Sequence, residues 1–292
     1  MRGKIVIITG ANSGMGLATT VDLARRGAQV IMVCRSRERG EEALATAKQK
    51  SSSDKIELML CDLASLESIR SFAEKFTSKY PILDVLINNA GVVTIKRQLT
   101  VDGFEMDLGV NHLGHFLLTN LLEGSLRAAE QGRVVVVASG AYKIGALHYD
   151  DPTLAHGFNP AKAYARSKLA NILFTKELAS RLQGTGVTVN CVHPGAVGTS
   201  IGVNRETGFG KSVLKLLSYF FLTPEQGADT AIYLATAPEL QQVTGQYYYR
   251  RKIKGLSPRA QNRAEAERLW QWSQEQVNLN TPLGGTINGL AE

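Results

Sequence analysis

Seven short apolar runs recur along the chain, and their spacing constrains its fold more than any other feature: KIVII (4–8), QVIMVC (29–34), KIELML (55–60), DVLIN (84–88), RVVVVA (133–138), VTVNCV (187–192) and GQYYY (245–249). Most are continuously apolar rather than alternating, as strands covered by helices on both faces must be. Between them lie segments of helical periodicity, such as GLATTVDLARRG after the first run and SLESIRSFAEKF after the third. This alternation predicts a doubly wound α/β fold: a seven-stranded, mainly parallel sheet with helices on both faces and a ligand at the carboxyl ends of the strands. No linker, low-complexity tract or repeat divides the 292 residues, and 44% hydrophobic content supplies a large core. A single domain spanning 1–292 is therefore expected.

The charge balance is mildly basic, 33 Lys and Arg against 26 Asp and Glu. RRKIK at 250–254 opens a basic, helix-patterned extension over 250–292 and reads as a solvated face. With no reading motif and no interleaving of basic and aromatic residues, nucleic acid is excluded as a partner. Cys34, Cys61 and Cys191 have neither metal nor disulfide spacing and read as buried reduced thiols. The loop residues His148, Asp150, Asp151 and His156 likewise lack ligand spacing, so no metal is expected. MRGKIVIITG runs straight into a strand, and VLKLLSYFFL (213–222) is short and interrupted by Lys215. A soluble, cytoplasmic protein is the expectation.

The turn after the first run carries chemistry. Gly10, Asn12, Ser13, Gly14, Met15 and Gly16 follow a strand and open a helix. Glycines there permit a tight turn and close backbone approach, and the free amides of a helix N-terminus attract a pyrophosphate. The spacing is Gly-x3-Gly-x-Gly rather than Gly-x-Gly-x2-Gly. A second signal is Tyr164 with Lys168, one turn apart in the helix-patterned run AYARSKLANILFTKELASRL. That spacing places a phenol and an ammonium on one face, and a fixed positive charge lowers the phenol's ordinary pKa of about 10 toward a useful acid/base range.

Thr9-Gly10-x3-Gly14-x-Gly16, Asn88-Asn89-Ala90-Gly91, Ser139, Tyr164-x3-Lys168 and Pro194-Gly195 occur in this order. Together they resemble the short-chain dehydrogenase/reductase family from Lys4 to about Gly245, which implies a Rossmann-type fold. DGFEMDLGVNHLGHFLLT (102–119) and YARSKLANILFTKELASRL (164–182) resemble its retinol dehydrogenase-like branch.

The resemblance implies roles. Tyr164 exchanges the proton of the alcohol or carbonyl oxygen, Lys168 lowers the Tyr164 pKa and holds the nicotinamide ribose, and Ser139 bonds the substrate oxygen. Asn111 holds a water that connects Lys168 to solvent. Asn89, Ala90, Gly91, Tyr164, Lys168, Pro194 and Gly195 line the cofactor, Asp62 and Leu63 its adenine side, and Val197 and Thr199 its carboxamide and phosphates. Users of NAD place an acid after the second strand; this chain has Cys34, then Arg35, with Arg39 a turn further on. Two guanidinium groups there favour the 2′-phosphate of NADP(H) over NAD(H).

The expected activity is that of an NADP-dependent short-chain alcohol dehydrogenase or carbonyl reductase, transferring a hydride to or from a lipophilic substrate of retinoid, steroid, terpenoid or aliphatic type. A substrate lid is expected at about 196–223, where Leu214, Leu216, Leu217, Phe220, Phe221 and Leu222 recur at helical spacing. Two alternatives stay open: a protochlorophyllide-type tetrapyrrole reductase, against which Ala196 after Pro194-Gly195 counts, and a non-catalytic NADP(H)-binding sensor or scaffold. The family's habits suggest a homodimer through the helices that include 101–123 and 160–182. Peripheral membrane contact is the less favoured expectation.

Overall fold

The structure is a computed structural model and describes residues 1–195 and 222–279. Among these residues eight strands form one sheet in the order β3-β2-β1-β4-β5-β6-β7-β8, with β1 Ile5–Thr9, β2 Gln29–Cys34, β3 Ile56–Leu60, β4 Val85–Asn88, β5 Arg133–Val137, β6 Thr188–His193, β7 Tyr247–Tyr249 and β8 Lys252–Ile253. Every neighbouring pair is parallel except β7 with β8. The strand order reverses between β1 and β4, which opens a crevice at the carboxyl ends of those strands.

Alternate residues of each strand serve opposite faces. Ile7, Ile31, Leu86 and Val134 pack with α3 (Leu66–Lys79), α5 (Gly114–Leu121) and α7 (Pro160–Arg181). Val6, Ile8, Val30 and Met32 pack on the other side with α1 (Gly14–Arg25), α2 (Arg37–Ser51) and α8 (Pro224–Thr236). Both faces of the central strands β1, β2, β4, β5 and β6 are therefore dry, which is why those runs are continuously apolar.

The expected seven strands become eight because RRKIK, which stays exposed as expected, also folds back to form an edge strand. Arg250 and Arg251 take φ of 51° and 58°, the left-handed pair that a two-residue hairpin turn needs, and reverse the chain into β8. Glycine or asparagine usually marks such a turn, so nothing in the local composition announces it. The arginines are held in place: Arg250 lies 5.2 Å from the Tyr249 ring centre, while Arg251 pairs with Asp229 and stands over Tyr233.

The helical run over 101–123 is likewise not continuous. It comprises α4 (Met106–Leu108), a π-helical turn (Gly109–Leu113) and α5, followed by α6 (Glu123–Arg127). The C-terminal extension forms α9 (Arg263–Gln276), which docks on α7. Trp270 stacks with Phe174 at 5.9 Å and meets Phe116 edge-on at 4.8 Å, and Ser273 reaches His112 Nε2 at 2.9 Å. Part of the face expected to serve a homodimer is thus covered by the chain's own extension. Among the described residues no helix is long and apolar enough to cross a membrane.

Candidate active site

The reversal between β1 and β4 brings two turns together. Gly10 (φ 65°) and Gly14 (φ 52°) adopt the left-handed conformation. A Cβ on Gly16 would lie 2.3 Å from Gly10 O and 2.7 Å from Asn89 Nδ2, so only glycine fits. α1 begins at Ser13 with no side-chain cap and no acid in its first turn. Its first amides are left for an anion. Asn89 Nδ2 donates to Thr9 O at 2.7 Å, tying the turn after β4 to the glycine turn. These features fit a dinucleotide pyrophosphate.

Arg35 and Arg39 stand exposed at the start of α2, and among the described residues neither forms an ion pair. The Cys34 thiol is pushed up to about 11 by burial, against the amides of Ala11 and Asn12 and the charge of Arg39. The end of β2 therefore abuts the glycine turn, with cationic side chains at its edge. Asp62 caps its own turn by accepting from Ala64 N at 3.0 Å, and Leu63 beside it is buried.

On the other side of the crevice, Ser139 follows β5, and Tyr164 and Lys168 rise from the first turns of α7. Asn159 caps that helix by accepting from Lys162 N at 3.0 Å, and Pro160 occupies the first position, which fixes where the helix starts. Lys168 is buried, donates to Val137 O at 3.0 Å and lies 5.5 Å from the Tyr164 ring centre. A Cβ on Gly91 would be 3.4 Å from Asn111 Oδ1 and 3.6 Å from Lys168 Nζ, so Asn111, Lys168 and the turn after β4 converge.

The electrostatics differ from the simple expectation that Lys168 lowers Tyr164. Burial raises the Tyr164 pKa, the Ser139 hydroxyl pulls it back, and the charge of Asp107 raises it further. Lys168 is itself brought down to about 8 by burial, with Asp107 opposing the fall. At about 8 the charged form of Lys168 still predominates at neutral pH, and the rise of Tyr164 comes from its own burial. Asn111 also differs from a free polar side chain. Its Oδ1 accepts from Val92 N at 2.8 Å, while Nδ2 donates to Val92 O at 2.9 Å and Ser167 Oγ at 3.0 Å. Its carboxamide is spent on clamping the turn after β4, which leaves its main-chain carbonyl, in the π-helical turn, as the group able to hold a water.

His193, Pro194 and Gly195 follow β6. Gly195 (φ 91°) donates to His193 Nδ1 at 3.3 Å, and the His193 ring stacks on Tyr249 at 5.0 Å and faces Gly140. Val197, Thr199 and the expected lid lie outside the described residues, save Leu222, whose Cδ1 a Cβ on Gly195 would meet at 2.6 Å, and Thr223.

Thr9, the first residue of the glycine motif, and residues to which sequence reasoning gave no part in the reaction hold the site together. The Thr9 hydroxyl accepts from Asn89 N and Ala90 N, both at 2.9 Å, and meets His115 Nε2 at 2.9 Å. His115 Nδ1 lies 3.1 Å from Asn111 O, so Nδ1 carries the proton and Nε2 accepts from Thr9. Burial brings His115 down to about 4 and keeps it neutral, which this relay requires. The second network is Glu105, Asp107 and Arg166. Arg166 Nη2 pairs with Glu105 Oε2 at 2.9 Å, both side chains being buried, and Glu105 also accepts from Asp107 N and Leu108 N. Charged letters in otherwise apolar helices are the only signal of it in the sequence.

The sequence profile described as short chain dehydrogenase matches residues 4–208. Human retinol dehydrogenase 14 is 47% identical, with 96% of this chain and 88% of that protein covered. Human retinol dehydrogenase 13 is 44% identical, with 96% and 86% covered. Among solved structures, a protein from Mycobacterium paratuberculosis superposes with a TM-score of 0.78 at 36% identity, covering 97% of this chain and 96% of that one. A variant of actinorhodin polyketide ketoreductase with NADPH superposes with a TM-score of 0.64 at 26% identity, covering 85% and 96%.

Proposed function

The chain belongs to the short-chain dehydrogenase family, in its retinol dehydrogenase-like branch, and from that premise we propose an NADP(H)-dependent oxidoreductase that interconverts a lipophilic alcohol and its carbonyl. Membership makes it an oxidoreductase of alcohols and carbonyls that uses a nicotinamide cofactor; the choice of cofactor, the substrate class and the residue roles are the proposal. The observation that carries it is that Lys168, one helical turn from Tyr164, meets Asn111 at the turn after β4, with the Ser139 hydroxyl on Tyr164 and a glycine turn alongside in which Gly16 has no room for a side chain.

The residues present fit the cofactor. Gly10 to Gly16 and the uncapped start of α1 would hold the pyrophosphate, Asp62 and Leu63 the adenine side, Arg35 and Arg39 a 2′-phosphate, and Lys168 the ribose. The bound nicotinamide supplies or accepts the hydride. Tyr164 then gives its phenolic proton to the carbonyl oxygen in reduction, or takes the hydroxyl proton in oxidation. Ser139 donates to the same oxygen and stabilises its developing charge. The Asn111 carbonyl, oriented by His115, would hold a water through which Lys168 and Tyr164 recover the proton.

Retinoids lead the proposed substrates because relatives named retinol dehydrogenase match nearly the whole chain. A homodimer, formed through the parts of the 101–123 and 160–182 helices that α9 leaves open, and a cytoplasmic location complete the reading. The deciding experiment is a turnover panel of retinoid, steroid, terpenoid and aliphatic alcohols and carbonyls with NADP(H) and NAD(H). Faster turnover of apolar members with NADP(H) is expected. Tight NADPH binding with no turnover across the panel would overturn the enzymatic reading in favour of a sensor.

A further inference from the structure

Asp107 is a buried carboxylate that the proposed reaction does not use. It is fully shielded from solvent in α4, one turn before Asn111. Its Oδ1 accepts from Thr94 N at 3.0 Å and Thr94 Oγ1 at 2.9 Å, whereas its Oδ2 is buried with no hydrogen-bond partner among the described residues. An unpaired carboxylate oxygen away from water is costly, so the group either takes a proton or is offset by a nearby positive charge.

The charged groups around it are few. Glu105, at the N-cap of α4, already has its Oε atoms engaged by Asp107 N, Leu108 N and Arg166. Arg166 pairs with Glu105 and donates to Pro152 O, its Nε has no partner among the described residues, and it feels the charges of Asp151, in the loop before α7, and of Asp107. The neutral His115 senses the charge of Lys168 rather than that of the carboxylate. Tyr164 and Lys168 are the remaining titratable groups of α7 that sense Asp107. Among the described residues Lys168 has only a main-chain carbonyl as hydrogen-bond partner, and the Thr94 segment that holds Asp107 continues directly from Gly91, which lies against the Lys168 Nζ.

Building on the proposed function, we propose that Asp107 is a positioning residue of the hydride-transfer site: the buried counter-charge that keeps Lys168 an ammonium and so sets the pH range over which Tyr164 works. It touches neither substrate nor cofactor. The direction of its influence agrees with this placement, since Lys168 helps hold Asp107 down while burial and Glu105 raise it to about 7.

The test uses Asp107→Asn, which keeps the shape and the acceptor for Thr94. Without the carboxylate, Lys168 and Tyr164 both lose protons more readily, so the alkaline limb of kcat/KM against pH is expected to move down by roughly one unit. Thr94→Val removes one donor to Oδ1, keeps Asp107 protonated over a wider range and is expected to move the limb the same way by less. It carries the test if the asparagine variant does not fold. Infrared titration of the protein without added cofactor gives a readout independent of turnover: a carboxylic C=O band titrating near neutrality, absent in Asp107→Asn and moved to higher pH in Lys168→Met. Superimposable pH profiles, or a band that ignores Lys168, would overturn the proposal. Failure of the proposed function alone would leave the infrared coupling intact.

Discussion

Tyr164 and Lys168 stand one helical turn apart, with the ammonium nitrogen 5.5 Å from the centre of the phenol ring and donating to Val137 O at 3.0 Å. The lysine is thus tied to the end of β5 and lies against Gly91 in the turn after β4. Its role in the proposed site is to hold ribose and proton relay as much as to polarise Tyr164.

Tyr164→Phe removes the proton donor while leaving the glycine turn and Lys168 in place. Turnover is expected to fall by roughly 10²- to 10⁴-fold, the usual contribution of a positioned acid/base. NADPH affinity, read by fluorescence titration, should change little. Retention of most wild-type turnover would remove Tyr164 from the proposed mechanism.

Much of this site is legible in sequence because its parts are short local patterns: a glycine spacing, a Tyr-x3-Lys pair, a strand-end serine. The rest depends on long-range packing. His115 meets Thr9 across 106 positions of sequence, and no local rule signals that pairing. Asp107 reads as an ordinary polar helix residue until burial on every side is known. The eighth strand is hidden because two arginines make a turn that sequence rules assign to glycine and asparagine. The raised Tyr164 pKa escapes sequence reasoning for a related cause: spacing shows proximity of charge, but desolvation is set by the whole fold.

Cofactor preference should depend on Arg35. It is exposed beside the end of β2, where no carboxylate replaces it, and a guanidinium contact to phosphate contributes about 1.5–3 kcal/mol. Arg35→Ala is expected to raise the NADPH dissociation constant by roughly tenfold to a hundredfold and to leave that for NADH nearly unchanged. Equal weakening of both would place Arg35 away from the 2′-phosphate.

Acid stability offers a check on the buried network. Burial lowers His112 to about 3 and His115 to about 4, so the unfolded chain binds their protons at a higher pH than the folded one. Their contribution is present above the ordinary histidine value of 6.5 and is lost as pH falls toward 4. Asp107, raised from 3.8 to about 7, has the opposite sign: its contribution is present at low pH and lost as pH rises through 7. Two histidines outweigh one aspartate, so urea unfolding should show a net loss of about 1–2 kcal/mol between pH 7 and pH 5. In Asp107→Asn the offset disappears and the loss should be roughly twice as large. A flat profile, or one no steeper in the variant, would contradict the assigned protonation states.

The C-terminal helix is the remaining lever on the site, because α9 braces the helix that carries Tyr164 and Lys168. Trp270 is only 1% exposed, stacks on Phe174 of α7, meets Phe116 of α5 and receives the Arg181 guanidinium at 4.6 Å from its ring centre. Removing an indole from such a position leaves a cavity lined by both helices, and Trp270→Ala is expected to cost about 3–5 kcal/mol. That stability loss, read by urea denaturation, should come with a fall in kcat, since α7 loses the support that fixes its register against β5. Trp270→Phe keeps an aromatic face against Phe174 and should recover most of both quantities. If Trp270→Ala unfolds at the wild-type urea concentration, α9 is not the brace that its packing describes.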